Sequence, residues 1–289
     1  MPCFVNLPLS WVHEQPAWVD WFVNGRIAPE LGLDAESLAL PDSWHRGIAK
    51  RFAAAGLCCA VHLPFWDVDP THPDADRAVL AGDSLRRGAA LAGIYSARHM
   101  VGHPYYRTDS GEKEPGVWLE KSRSLWPQLP RIAGAPLFLE NTYETSPDAI
   151  ATLALLLQGE GTGGPGIGVC FDIGHWHSFA GKKTPAEMDP WLDAFSPFSL
   201  HLHLHDNDGS SDMHLGLGVG TVPFDALLEK LAIRQKDVTA TLEPHDAKAF
   251  ALSIAWLTAH DAVARRLGWE TPNMDALPLT EIEEAIAKG

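Results

Sequence analysis

The chain has 289 residues, 46% of them hydrophobic, with 37 acidic against 22 basic side chains and a formal net charge of −15. That is enough apolar material for one large core, an α/β barrel for instance, or for two smaller domains. The acidic balance argues against a general polyanion-binding surface, and no apolar run reaches the roughly 20 residues of a membrane-spanning helix.

In chain order, strand-like runs fall at residues 4–7, 37–40, 57–63, 97–102, 136–140, 168–172, 200–205 and 238–242. Helical patterns between them cover residues 75–93, 146–158, 224–233 and 247–260. Start signals at Pro41-Asp42-Ser43, Ser146-Pro147-Asp148 and Thr184-Pro185-Ala186-Glu187 put Ser, Thr or Asp ahead of Pro or an acid. Alternating strands and helices imply parallel βαβ units, and eight is the number that closes a (β/α)8 barrel. The expected fold is therefore a single α/β (β/α)8 TIM barrel over residues 1–268. A tail over 269–289 follows, with a short acidic helix near 281–288. A doubly wound open sheet is second choice, since no GxGxxG follows the first strand. The glycine-rich stretch 159–168 is expected to be a loop, too short for a linker. Cys3, Cys58, Cys59 and Cys170 form no CxxC pair, and Met1-Pro2-Cys3 runs into a strand without a basic leader. Both point to a reducing compartment, and the cytoplasm is the expected location.

The chemistry concentrates at the carboxyl ends of the strands, where barrels of this kind keep their active sites. In His201-Leu202-His203-Leu204-His205-Asp206 the alternation of a strand turns His201, His203 and His205 to one face. Buried imidazoles in a row are costly unless something uses them, and a divalent ion is the usual user. His62, His103, Glu140, Asp172, His175 and Glu243 also stand at strand ends, each followed closely by loop residues. A mixed imidazole and carboxylate set suits zinc, manganese, cobalt or iron, whereas calcium asks for oxygen alone and structural zinc for thiolates. Taken singly, a strand-end carboxylate is more often a cap and a strand histidine more often a core residue. The number on successive strands is what favours a metal centre.

These residues resemble those of the xylose isomerase-like TIM barrel superfamily, which holds sugar isomerases and epimerases as well as endonuclease IV. The resemblance spans the barrel from about His62 to about Glu243. It implies that Glu140, Asp172, His203 and Glu243 hold a metal. His203 is preferred over its neighbours because His203-Leu204-His205-Asp206 matches the family's His-x-x-Asp, and His175 fits its Asp-x-x-His. The endonuclease IV branch implies further ligands at His62, His103, His175, Asp212 and His214, the last pair followed by Gly216, Gly218 and Gly220.

Two mechanisms follow, with one to three ions of zinc or manganese type as cofactor. Foremost is isomerisation or epimerisation of a sugar or sugar phosphate, with Glu140 and Glu243 moving a proton and His175 positioning a hydroxyl. The alternative is a multi-zinc phosphodiesterase or phosphoesterase of endonuclease IV type, in which Glu140 bridges ions. A non-catalytic metal-binding barrel is the third reading. Phe65, Trp66, Trp176 and His205 are the candidate walls of the substrate pocket. The expected partner is a small sugar-like molecule. Nucleic acid is disfavoured because only Arg107, Lys113, Lys182 and Lys183 offer positive charge near the rim.

Overall fold

In the computed structural model, which describes residues 2–108, 111–159, 166–234 and 238–270 with Pro278, Thr280 and Glu284, eight parallel strands close on themselves. They are β1 (Cys3–Pro8), β2 (Pro29–Gly32), β3 (Ala60–His62), β4 (Met100–Gly102), β5 (Leu137–Glu140), β6 (Ile167–Asp172), β7 (Leu200–Leu204) and β8 (Val238–Leu242). Each strand pairs with its neighbours in sequence, and β8 closes onto β1, which makes a (β/α)8 barrel.

The second strand differs from expectation. Residues 37–40 do not form it; Ser37 lies in the helix Ala35–Ala39, and the strand is Pro29–Gly32. Asp34 explains the helix, because its carboxylate accepts from Ser37 N at 2.7 Å while Ser37 Oγ accepts from Asp34 N at 2.9 Å, a closed capping box. The true strand, Pro-Glu-Leu-Gly, consists mostly of residues that strands avoid. Pro29 is tolerated as the first residue, where no ladder donor is needed.

The barrel strands are buried on both faces. On β7 alternation sends Leu200, Leu202 and Leu204 outward into the hydrophobic core under the helices and turns His201 and His203 inward. Register then sets neighbours: His203 lies between Asp172 on β6 and Thr241 on β8, and Glu140 lies beside Cys170. The helices Ala75–Ile94, Asp148–Gly159, Phe224–Arg234 and Ala247–Ala259 lie close to their expected bounds. Asp74 caps the first by accepting from Asp76 N and Arg77 N, and Asp246 caps the last by accepting from Ala249 N. The expected Thr184–Glu187 start is a capping box on a short 3-10 turn. Trp269, at the head of the expected tail, is buried and donates from its indole to Val238 O at 2.7 Å. The helix expected near 281–288 and residues 160–165 of the glycine-rich loop lie outside the described residues, and Gly168 belongs to β6. Among the described residues no helix is long and apolar enough to cross a membrane.

Candidate metal centre

At the carboxyl mouth the strand ends bring nine polar side chains together in three linked groups. In the first, His62 Nε2 and His103 Nε2 each lie 3.1 Å from Glu140 Oε2. In the second, His203 Nδ1 lies 3.4 Å from Glu140 Oε1, 3.3 Å from Glu243 Oε1 and 3.9 Å from Asp172 Oδ2. The third sets Asp212 Oδ2 at 3.1 Å from His214 Nε2 and 3.4 Å from His175 Nε2. His175 Nδ1 joins the groups, 3.3 Å from Glu140 Oε1 and 3.6 Å from Asp172 Oδ2. The Glu140 carboxylate thus divides, one oxygen toward each of the first two groups.

The tautomers of three of these imidazoles follow from their backs. His62 Nδ1 lies 2.8 Å from Leu63 O, His175 Nδ1 2.9 Å from Asn141 O, and His214 Nδ1 2.9 Å from Glu243 O. A carbonyl only accepts, so each Nδ1 carries a hydrogen, and in the neutral ring each Nε2 presents a lone pair. Those lone pairs face carboxylate oxygens, which are also acceptors only. Such an arrangement is stable with an extra proton or a cation between the atoms. His203 Nδ1 and Asp212 Oδ1 are buried without any hydrogen-bond partner, which suits the cation. Donor sets drawn from these residues, among them His62, His103 and Glu140, lie within 4.8 Å of one another. The residues therefore fit divalent ions of the zinc class, with His and carboxylate ligands oriented by backbone carbonyls behind them.

Electrostatics agree with that fit. Burial raises the Glu140 carboxyl, but His203 and His103 outweigh it and hold it well below its ordinary range. Burial would lower His175 and His203; Asp172 and Asp212 around the first, and Cys170, Glu243, Glu140 and Glu30 around the second, hold both well above theirs. Glu243 is pushed up, chiefly by burial. In the metal-free fold the histidines hold protons that an ion would replace.

Several residues of the neighbourhood escaped the sequence reading. Glu30, on the misplaced β2, is fully buried under the mouth, 2.9 Å from His203 Nε2 and 3.3 Å from His201 Nε2. His99 lies 3.5 Å from the same carboxylate. His245 stacks on His214 at 3.7 Å between ring centroids, and Phe179 packs against His175 at 5.3 Å. Two expected pocket walls are elsewhere. Trp176 is fully buried in the hydrophobic core beside Phe171, because the helix Ile173–Ser178 turns it away from the barrel mouth. His205 is also buried, 3.2 Å from Asp172 and stacked on His214, so it backs the ligands and does not line a cleft. Phe65 does stand at the mouth, its ring 5.2 Å from that of His62 and 5.0 Å from that of His103, while Trp66 beside it is 86% exposed.

The family model described as xylose isomerase-like TIM barrel matches residues 27–260. The chain belongs to that family. Among solved structures, this xylose isomerase-like barrel is similar to the TTHB071 protein from Thermus thermophilus soaked with ZnCl2. Identity is 28% over 90% of this chain and 97% of that one, with a TM-score of 0.70. Endonuclease IV, also from Thermus thermophilus, shares the fold at 19% identity and a TM-score of 0.63, over 90% of this chain and all of that one. D-psicose 3-epimerase from Clostridium cellulolyticum H10 does so at 14% and 0.61, over 83% of this chain and 84% of that one. No curated protein matches the chain in sequence.

Proposed function

We propose that this xylose isomerase-like barrel hydrolyses a small phosphate ester with two or three divalent ions of the zinc class. The observation that carries this reading is the divided Glu140 carboxylate, with His62 and His103 Nε2 on Oε2 and, on Oε1, His203 Nδ1 with the Glu243 and Asp172 carboxylates around it. A carboxylate so placed is suited to bridging two ions. A one-ion isomerase needs Glu140, Asp172, His203 and Glu243, with His175 to position a hydroxyl, and leaves Asp212 and His214 without a use. For that reason the hydrolase moves ahead of the isomerase that the sequence favoured.

Ions held there would lower the pKa of a water and offset the charge that develops on a phosphoester. The protein's own part is orientation. His62, His175 and His214 are fixed by the carbonyls behind them, and Asp172 by its bond from His175 N at 2.6 Å. Phe65 packs its ring against His103 and Phe179 against His175. Rim charge favours a small substrate over duplex nucleic acid. Arg107 binds Glu112 at 3.0 Å, Lys113 binds Asp69 at 2.5 Å and Lys182 lies 3.8 Å from Glu187, so three of the four rim cations are already matched by acids, Lys183 being the fourth.

One observation favours the sugar isomerase as second reading. Glu140 and Glu243 meet at His203 Nδ1, the first held low and the second pushed up, as a base and acid pair would be. The test is elemental analysis of zinc- or manganese-loaded protein, followed by bis(p-nitrophenyl) phosphate and phosphomonoesters alongside a ketose panel. Two or three ions per chain with phosphate-ester cleavage supports the hydrolase. A single ion with ketose turnover and no ester cleavage sinks it in favour of the isomerase.

A further inference from the structure

His203 differs from the other imidazoles of the centre in what lies behind it. Three of them turn Nδ1 onto a main-chain carbonyl and present Nε2. His203 is reversed: Nδ1 faces the carboxylates of the mouth, and Nε2 points down the barrel to Glu30 Oε1, 2.9 Å away. Both of these atoms are buried and neither has another partner. His203 Nε2 and Glu30 Oε1 lie within hydrogen-bonding distance of each other, out of line for a formal bond.

The surroundings of Glu30 assign every proton in one direction. Thr241 Oγ1 donates to Glu30 Oε2 at 2.8 Å. Having given its hydrogen, that hydroxyl accepts from His201 Nε2 at 2.9 Å, and His201 Nδ1 in turn accepts from Thr239 Oγ1 at 2.6 Å. The carboxylate at the end of the chain can only accept, so the remaining hydrogen is the one on His203 Nε2. A separate ion among Glu30, His99 and His201 is disfavoured, because both nitrogens of His201 are engaged by threonine hydroxyls and the layer is closed to solvent.

We propose that Glu30 is a positioning residue of the metal centre: its carboxylate takes the His203 Nε2 hydrogen and so fixes Nδ1 as the atom His203 offers to an ion. Glu30 does for His203 what Leu63, Asn141 and Glu243 carbonyls do for His62, His175 and His214, with a full negative charge in place of a carbonyl dipole. That charge makes the imidazole a stronger donor to a cation. The inference rests on His203 being a metal ligand and is indifferent to the reaction.

The experiment titrates zinc and cobalt into metal-free wild type and Glu30→Gln, which keeps the shape and removes the charge. It also records nitrogen spectra of 15N-histidine wild type loaded with 113Cd. The expected result is uptake by wild type, about 10–100-fold weaker affinity in the variant with a shifted cobalt absorption band, and cadmium coupling at His203 Nδ1 with Nε2 protonated. Equal affinity and an identical cobalt band in a folded Glu30→Gln overturn the inference and leave the metal centre standing. Cadmium coupling at His203 Nε2 overturns it even where the variant fails to fold. Wild type that takes up no ion overturns the metal centre itself, and this inference with it.

Discussion

His201 and His203 lie two residues apart on β7, face the same interior and are equally buried, yet they have opposite fates. His201 is closed by threonine hydroxyls on both nitrogens and burial drives it to neutrality. His203 meets carboxylates on both nitrogens, and Cys170 with the Glu243, Glu140 and Glu30 carboxylates outweighs burial and raises its pKa well above the ordinary value in the metal-free fold. The imidazole is the same; the strand across from it decides. Hydroxyls on β8 make a core histidine, and acids converging from β5, β6 and the end of β8 leave an imidazole whose surroundings suit an ion.

The contrast can be broken at several points. Removing the shared acid has the largest expected effect. Glu140→Ala should take away two of the three ligand groups at once, lowering ion stoichiometry and activity together. An interaction worth several kcal/mol in the transition state corresponds to a loss of about 10³-fold or more in kcat/KM. Full stoichiometry with full activity would show that Glu140 bridges nothing.

Next comes the metal itself. At a free ion concentration of 100 times Kd, loading should stabilise the fold by about 2.7 kcal/mol and raise Tm by roughly 4–5 °C, with chelation reversing it. The gain should grow with pH. His175 and His203 have raised values in the metal-free fold, so their contribution is complete below their ordinary 6.5 and is lost as pH rises through the raised folded values. Glu140 and Asp172 are lowered, so theirs is present above 4.5 and 3.8 and is lost as pH falls through the lower folded values. The pairs of the metal-free protein are complete between 4.5 and 6.5, whereas ions compete best with protons above that window. A Tm difference between loaded and metal-free protein that shrinks from pH 6 to pH 8 would contradict this.

Gly174→Ala tests the geometry behind the ligands. A Cβ there would stand 2.0–2.5 Å from the His205 ring, which backs Asp172. The expected cost is about 1–3 kcal/mol of stability with weakened ion binding, read from melting and zinc titration. The smallest effect is expected on the other side of the comparison. Thr239→Val leaves His201 Nδ1 without its bond, for about 1–3 kcal/mol at most and with ion stoichiometry unchanged. A loss of bound metal in that variant would mean the two histidines are not separate in role.

Much of this was legible in the sequence because barrels impose two strong rules: alternation along a strand and chemistry at its carboxyl end. Those rules point to the strand-end acids Glu140, Asp172 and Glu243 and to the row His201, His203 and His205 without any structure; the preference for His203 within that row comes from the family resemblance. They fail where local propensity contradicts the element. Pro29-Glu30-Leu31-Gly32 does not look like a strand, since a barrel supplies through neighbours what its residues lack. Glu30 was lost with it, and with Glu30 the reason His203 faces as it does. Trp176 and His205 were misjudged for another reason. Residues just past a strand end belong to a turn whose direction depends on packing, and Trp176 is drawn into the core beside Phe171.

Asp206 lies two residues past the strand that carries these histidines, and its hydrogen bonds go to main-chain groups. Its backbone pairs with Leu215 in both directions, N to O at 2.9 and 2.8 Å. Its carboxylate accepts from the amides of Asn207, Gly218, Gly220 and Val222. One residue therefore staples both ends of the excursion 207–214, which carries Asp212 and His214, and packs so tightly on Gly220 that a Cβ there would meet Asn207 O at 2.2 Å. The third ligand group is in effect a cassette plugged into a finished barrel. On the multi-ion reading proposed above, exchanging it would add or delete an ion while the strands kept their register, a short route for one scaffold between one-metal and multi-metal chemistry.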